Sequence, residues 1–425
     1  MPEFIVDIAR RFLASDFYVS LPFWGAFAAV VVSYRLVPRS TILKEWLLLA
    51  SSVCMLLTLP RFDLRMLATL LGVCLITYVC ATLLANGERF RNRRARWAVA
   101  ASGIVINVVV LAFFKYKFVQ HAILRSVSLA ATDFIFVIGI SYSSFRAMHF
   151  ILEAYKNQIK NPSLLSFLNY MLFFPAFISG PIHRYGHYCA NSAAARNAPF
   201  RSDVAVGLER IVNGLFKKTV LTMVLLRYTL TNAGTPIQDM SLSFVALGLY
   251  AQALYLYFDF SGYTDLALGS ARIMGFVLPE NFDRPFLKKN IQQLWANFHI
   301  SLTSWLTDYI YWPLVRKLRN AEHLRKRPVL TSNIAIVVTF IVCGIWHGNT
   351  PSFVLWGLYH GVGIASVNTY QKWKRQVRHP AARKYFASVY SQAIGTAMTF
   401  SFYAIGLLPF VLDSPQIRIL LGRLI

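Results

Sequence analysis

Charge is scarce in this sequence, and negative charge scarcer still. Only 14% of its 425 residues are charged, 18 Asp and Glu against 43 Lys and Arg, which leaves a net charge of +25. Soluble domains carry about 25% charged residues, so a soluble globular class is excluded. There are five cysteines, four of them in apolar runs and none in a CxxC pair. A disulfide framework or zinc site is therefore not indicated. HExxH, a GxSxG elbow, a Walker motif and a Rossmann glycine pattern are all missing. Their absence argues against zinc-protease, serine-hydrolase and nucleotide-hydrolysing chemistry. There is also no low-complexity linker, no long polar insertion and no convincing internal repeat, which counts against the inverted-repeat transporters.

What is present is apolar surface. Hydrophobic residues make up 56% of the chain and the mean hydropathy is +0.49. Runs near the ~20-residue spanning length recur, at roughly 17–36, 43–60, 66–86, 97–119, 134–154, 165–182, 204–230, 241–276 (two spans or a broken one), 330–347, 351–369 and 387–412. The expectation is an all-α polytopic membrane protein of roughly 10–12 transmembrane helices, because each span must satisfy its own backbone groups. The runs are continuous rather than alternating, which argues against a barrel. Residues 1–425 read as a single integral membrane domain.

The positive charges fall between the spans: Arg89 to Arg96, Arg316 to Arg327 and Lys372 to Lys384. Such clusters read as cytoplasmic, set against anionic headgroups and open to an acidic protein partner. Nucleic acid is not the expected partner. The first cluster implies an external N-terminus. That terminus lacks a secretory cleavage pattern, and Phe4, Ile5, Ile8 and Phe12 have the spacing of a short interfacial helix.

Titratable groups inside apolar runs mark candidate functional sites. His347 lies within Phe340-Ile-Val-Cys-Gly-Ile-Trp-His-Gly, flanked by Gly344 and Gly348 in GxxxG spacing and by Trp346. His299 falls on the apolar stripe Ile291, Leu294, Trp295, Phe298, Leu302, Trp305, Leu306 and Tyr309, which predicts one helix. A desolvated imidazole stays neutral, the form a general base needs. Either histidine could equally be a structural residue bonded to a backbone carbonyl. His360 is the nearest further imidazole, too little for a metal site. Asp259 and Asp265, with Arg272 following, read as structural ion pairs or as groups supporting a polar cavity. Phe173 to Tyr185 reads as a helix broken at membrane depth, and His183 and His187 beyond it as surface residues.

The ordered motifs resemble the membrane-bound O-acyltransferase family, in the bacterial branch that modifies teichoic acid with D-alanine and alginate with acetate. They are Phe-Phe-Pro…Ser-Gly-Pro-Ile (173–182), Tyr-Phe-Asp-Phe-Ser-Gly-Tyr-Thr-Asp (257–265), Pro-Glu-Asn-Phe-Asp-Arg-Pro-Phe (279–286), Trp295-x-x-x-His299, Trp305-x-x-Asp308-Tyr309 and Gly344-Ile-Trp-His347-Gly348, with Phe113-Phe-Lys-Tyr116 as a minor echo. The motif-rich core spans about 173–363. Phe298 stands where the family commonly has Trp, and Asn297 where it often has a basic residue.

The resemblance implies helices, some interfacial or re-entrant, around a central funnel in a bacterial cytoplasmic membrane. It also implies that His347 and His299 are catalytic, with Trp295, Trp346, Asn297, Asp259 and Trp305 around the substrate. The donor would be a thioester, on an acidic phosphopantetheine carrier protein or coenzyme A, with no tightly bound cofactor. The acceptor would be a hydroxyl of an extracytoplasmic envelope polymer or of a partner acyltransferase. Two rivals remain: an envelope-precursor transporter, which would depend on Asp259, Asp265 or Arg272, and a scaffold that recruits other enzymes.

Overall fold

The computed structural model describes residues 21–37, 41–59, 62, 64–85, 92–126, 138–195, 200–232 and 234–423. The interfacial helix expected at Phe4–Phe12 lies outside them, as do Arg89 and Arg91. The described residues are helical, with no strand among them beyond one isolated bridge, Phe282 to Phe298. Five helices are long and apolar enough to cross a membrane: Leu64–Ala85, Arg93–Lys115, Leu242–Ile273, Pro328–His347 and Val389–Val411. The all-α polytopic class is what the structure shows.

The expected 10–12 spans are not all continuous helices of that length, and the causes are local. The run 43–60 yields Thr41–Leu57, of 17 residues. The run 134–154 yields Ile140–Tyr155, of 16 residues, starting at Gly139 in the left-handed region. The run 165–182 stops at Leu172, before Pro175, and continues as a 3-10 turn over Phe174–Ala176. The run 204–230 is interrupted by a π-helical stretch at Phe216–Leu221. The run 241–276 is one unbroken helix of 32 residues, about 48 Å long at 1.5 Å per residue.

The chain divides into two compact units. The first comprises residues 1–219 with 262–279, the second 220–261 with 280–425. In the first unit we label α1 (Leu64–Ala85), α2 (Arg93–Lys115), α3 (Ile140–Tyr155) and α4 (Phe200–Leu215). Asn92 caps α2 by accepting from Arg94 N–H at 2.9 Å. Arg96, one member of the first basic cluster, does structural work. Its guanidinium donates to the carbonyls of Leu84 (2.8 Å) and Tyr155 (2.9 Å) at the C-terminal ends of α1 and α3, where helix dipoles favour a cation.

The long helix Leu242–Ile273, α5, gives its last residues to the first unit. There α4 and α5 approach at glycines. A Cβ on Gly214 would lie 2.7 Å from the Gly262 carbonyl, so only hydrogen fits. Beside this approach the buried Asp265 carboxylate accepts from Arg210 Nη1 and Lys217 Nζ, each at 2.6 Å. Arg272 pairs with Asp203 at 3.0 Å instead. Of the two readings left open for Asp265, the ion pair is the one seen.

In the second unit, α6 (Ile291–Ala296) and α7 (Ile300–Leu306) are short. Two long helices, α8 (Pro328–His347) and α9 (Pro351–Gln376), form a tight antiparallel hairpin joined at 348–350. A Cβ at Gly344 would run into the Phe353 carbonyl, and one at Gly348 into the Phe353 ring. The GxxxG pair thus serves the hairpin itself. Val389–Gly406, α10, packs against α6 and α9.

Candidate active site

His347 is the last residue of α8, where the run 330–347 also ends, and the chain leaves the helix at Gly348. It is half-buried in an aromatic wall. Its ring lies 4.6 Å from Trp346, 4.9 Å from Trp356 and 5.2 Å from Phe410, the last two edge-on. The three-residue turn at 348–350 folds Trp356 back beside the imidazole.

His299 departs from expectation. The stripe 291–309 is not one helix: α6 ends at Ala296, α7 begins at Ile300, and His299 sits between them at φ 49°, ψ 52°. This left-handed conformation costs a residue with a Cβ about 1–2 kcal/mol and persists only where the surroundings impose it. The segment 281–283 does so. Ile300 N–H donates to the Asn281 carbonyl (2.9 Å), and Asp283 N–H to the Asn297 carbonyl (3.1 Å). The Asn281 side-chain oxygen accepts from Ser301 Oγ (2.6 Å) and Ser301 N–H (3.3 Å). Thr303 Oγ1 donates to the Trp295 carbonyl at 3.1 Å, across the break.

The His299 ring lies edge-on to Phe260, 4.7 Å away. His299 is outside the five spanning helices. Burial pushes its imidazole down to about 3, so it is neutral at pH 7, with one nitrogen to donate and one to accept.

Trp295 joins these features. Its ring packs on Trp356 (5.5 Å), Phe298 (5.5 Å) and His360 (5.1 Å). Its indole N–H donates to His360 Nδ1 at 3.4 Å, a long bond. A chain of ring contacts therefore runs from His347 through Trp356 to Trp295 and on to Phe298, which adjoins His299. Trp346 stands beside His347. The other expected site residues are placed less centrally. Asn297 closes α6, its amide donating to the Gln293 carbonyl at 2.8 Å. Trp305 packs against Tyr309 at 5.1 Å with the rings tilted. Asp259 is half-buried on α5, one residue before Phe260.

Trp356 and Phe410 carried no signal in the sequence beyond being aromatic, whereas Phe260 and Asn281 lie within the motifs at 257–265 and 279–286 without having been singled out. His183, expected at the surface, is buried in the first unit with its ring 5.1 Å from Tyr170, whereas His187 is exposed. Among the described residues no three His, Cys, Asp or Glu side chains gather as a metal site. A groove of about 1640 Å³ opens in the second unit along α6, but neither His299 nor His347 lines it.

Helical architecture and apolar spans define a multi-pass membrane protein. The chain belongs to the membrane-bound O-acyltransferase family, whose family model matches residues 93–405, a stretch that holds all seven candidate site residues. It is an O-acyltransferase. Among its relatives, the teichoic acid D-alanyltransferase of Bacillus subtilis is 28% identical over 339 residues, covering 79% of this chain and 83% of that one. The teichoic acid D-alanyltransferase of Streptococcus thermophilus is 30% identical over 284 residues, 64% of this chain and 68% of that one. A probable alginate O-acetylase of Pseudomonas aeruginosa is 29% identical over 289 residues, 66% of this chain and 53% of that one. The similarity is thus spread over two acyl groups at nearly equal identity.

Proposed function

We propose that this protein transfers a small acyl group, D-alanyl or acetyl, from a thioester donor to a hydroxyl of an extracytoplasmic envelope polymer or of a partner acyltransferase that passes it on. One acyltransferase domain in the bacterial inner membrane carries this out. The acceptor oxygen attacks the thioester carbonyl as His347 takes its proton. The tetrahedral oxyanion collapses, the carbon–sulfur bond breaks, and His347 returns the proton to the departing thiolate. His299, neutral and held rigid, donates to the oxyanion or orients the hydroxyl. Trp295, Trp346 and Trp356 exclude water, which strengthens those interactions. Asn297, Asp259 and Trp305 border the substrates. The donor is consumed as a substrate, so the scheme needs no tightly bound cofactor.

The observation that carries this reading is His347 at a helix terminus in an aromatic wall, linked by ring contacts to Trp295. The basic stretch at 316–327 suits an acidic carrier protein arriving on the cytoplasmic side. The names of the relatives, D-alanyltransferase and O-acetylase, support both acyl groups. The test is mass spectrometry of envelope polymers from cells carrying wild type or His347→Ala. Loss of one ester, with the protein still folded in the membrane, supports the proposal and names the acyl group. Unchanged esterification with His347→Ala refutes it. Loss with Asp265→Asn alone, His347 being dispensable, would favour transport.

A further inference from the structure

We propose that the groove along α6 is a binding site for one anionic phospholipid, distinct from the histidine site and independent of the function proposed above. Its charge is one-sided. Lys289, Lys372, Lys374 and Arg375 line it, and no Asp or Glu does. Among the described residues none of these four cations takes part in an ion pair. Lys374 instead holds its Nζ 4.5 Å above the Phe386 ring. Four like charges converging on a cavity repel one another unless an anion enters.

The rest of the groove is built for acyl chain. On α9 the lining changes from Lys374 through Tyr370 and Ser366 to Val362 and Leu358, and on α10 from Ser391 and Gln392 to Ile394, Met398 and Phe402, with Thr399 as the one polar residue among them. From Lys374 to Val362 is twelve residues, about 18 Å of helix. That is close to half of the ~30 Å hydrocarbon thickness, the reach of one lipid from headgroup into its own leaflet. Tyr370, Trp373 and Tyr385 are exposed around the basic end, the placement amphipathic rings take at a membrane interface. An acidic protein would use the cations but leave the apolar wall uncovered. A zwitterionic lipid would fill the wall but leave the four cations uncompensated.

The experiment uses the full chain, purified and stripped of lipid in detergent. Dioleoyl phosphatidylglycerol or dioleoyl phosphatidylcholine is titrated in while the melting temperature is followed. Phosphatidylglycerol should raise it saturably, and phosphatidylcholine should not. The variant K372Q/K374Q/R375Q should weaken the apparent affinity on the order of 100-fold, since a cation near an anionic headgroup contributes about 1 kcal/mol. R316Q/K317Q/R319Q, which removes equal charge away from the groove, should leave it unchanged. Ser366→Trp, which fills the groove and keeps every cation, should abolish the response. This variant decides the matter if the first triple fails to fold. Equal responses to the two lipids, equal weakening by both triples, or a normal response in Ser366→Trp would each overturn the site. So would displacement of phosphatidylglycerol by soluble polyglutamate, which would point to a protein partner.

Discussion

At the scale of single residues, the two histidines differ in how they are held. His347 sits where a helix ends, so its ring can meet a substrate without breaking helix hydrogen bonds. Replacing it by Ala should lower turnover about 10²–10⁴-fold, the usual worth of a positioned base, while the melting temperature changes little. A purified-enzyme assay with a synthetic thioester would check both. His299 carries a pH signature instead. Its buried imidazole titrates near 3 in the folded protein and near 6.5 when unfolded. Below pH 6.5 the unfolded chain therefore binds more protons. Its contribution to stability is complete above that pH and is lost as pH falls towards 3, at up to about 1.4 kcal/mol per pH unit. His299→Asn, which tolerates the left-handed backbone, should flatten the fall in melting temperature between pH 6.5 and 4.5. An unchanged slope would mean that His299 is not neutral in the fold.

At the scale of elements, a break and a hairpin place the site. The break between α6 and α7 depends on Asn281, whose side chain meets Ser301 from twenty residues away. Removing that acceptor in Asn281→Ala should cost about 1–3 kcal/mol. It should also lower turnover although Asn281 performs no chemistry, because His299 would lose its support; chemical denaturation and turnover measured on one preparation would show both. The α8–α9 hairpin depends on Gly344, and Gly344→Val should cost about 3 kcal/mol through collision with the Phe353 carbonyl. Periodicity alone merged α6 and α7 into one helix. The stripe is a true record of which side chains are buried, but the backbone partners that end α6 come from 281–283, outside any local window. The break after Leu172 was legible, because Pro175 forbids the helix locally, although the 3-10 turn that follows it was not.

At the scale of the whole molecule, the excess of positive charge has more than one use. Arg210, Lys217, Arg272 and Arg96 are tied to partners inside the first unit. Asp265→Asn should destabilise the protein by about 3 kcal/mol, since it leaves two cations facing a neutral group; thermal unfolding in detergent would measure this. Arg316 and Lys317 end the short helix Trp312–Leu318, and under the proposed function Arg316→Glu with Lys317→Glu should raise the KM for an acidic carrier donor while leaving kcat alone. That effect should shrink at high salt, as exposed charges are screened within about 10 Å at 0.1 M.

Composition alone determined that this chain lives in a bilayer as helices, because unpaired backbone is too costly there for any open alternative. The ordered motifs determined the family, and with it two histidines to look for. Tertiary structure decided the rest: that His347 closes a helix against Trp356 and Phe410, that His299 sits at a left-handed break and not on a helical face, that His183 is buried, and that Asp265 belongs to an ion pair. Each of these depends on a partner distant in sequence, and burial, strain and charge pairing are properties of neighbours in space that no local pattern encodes.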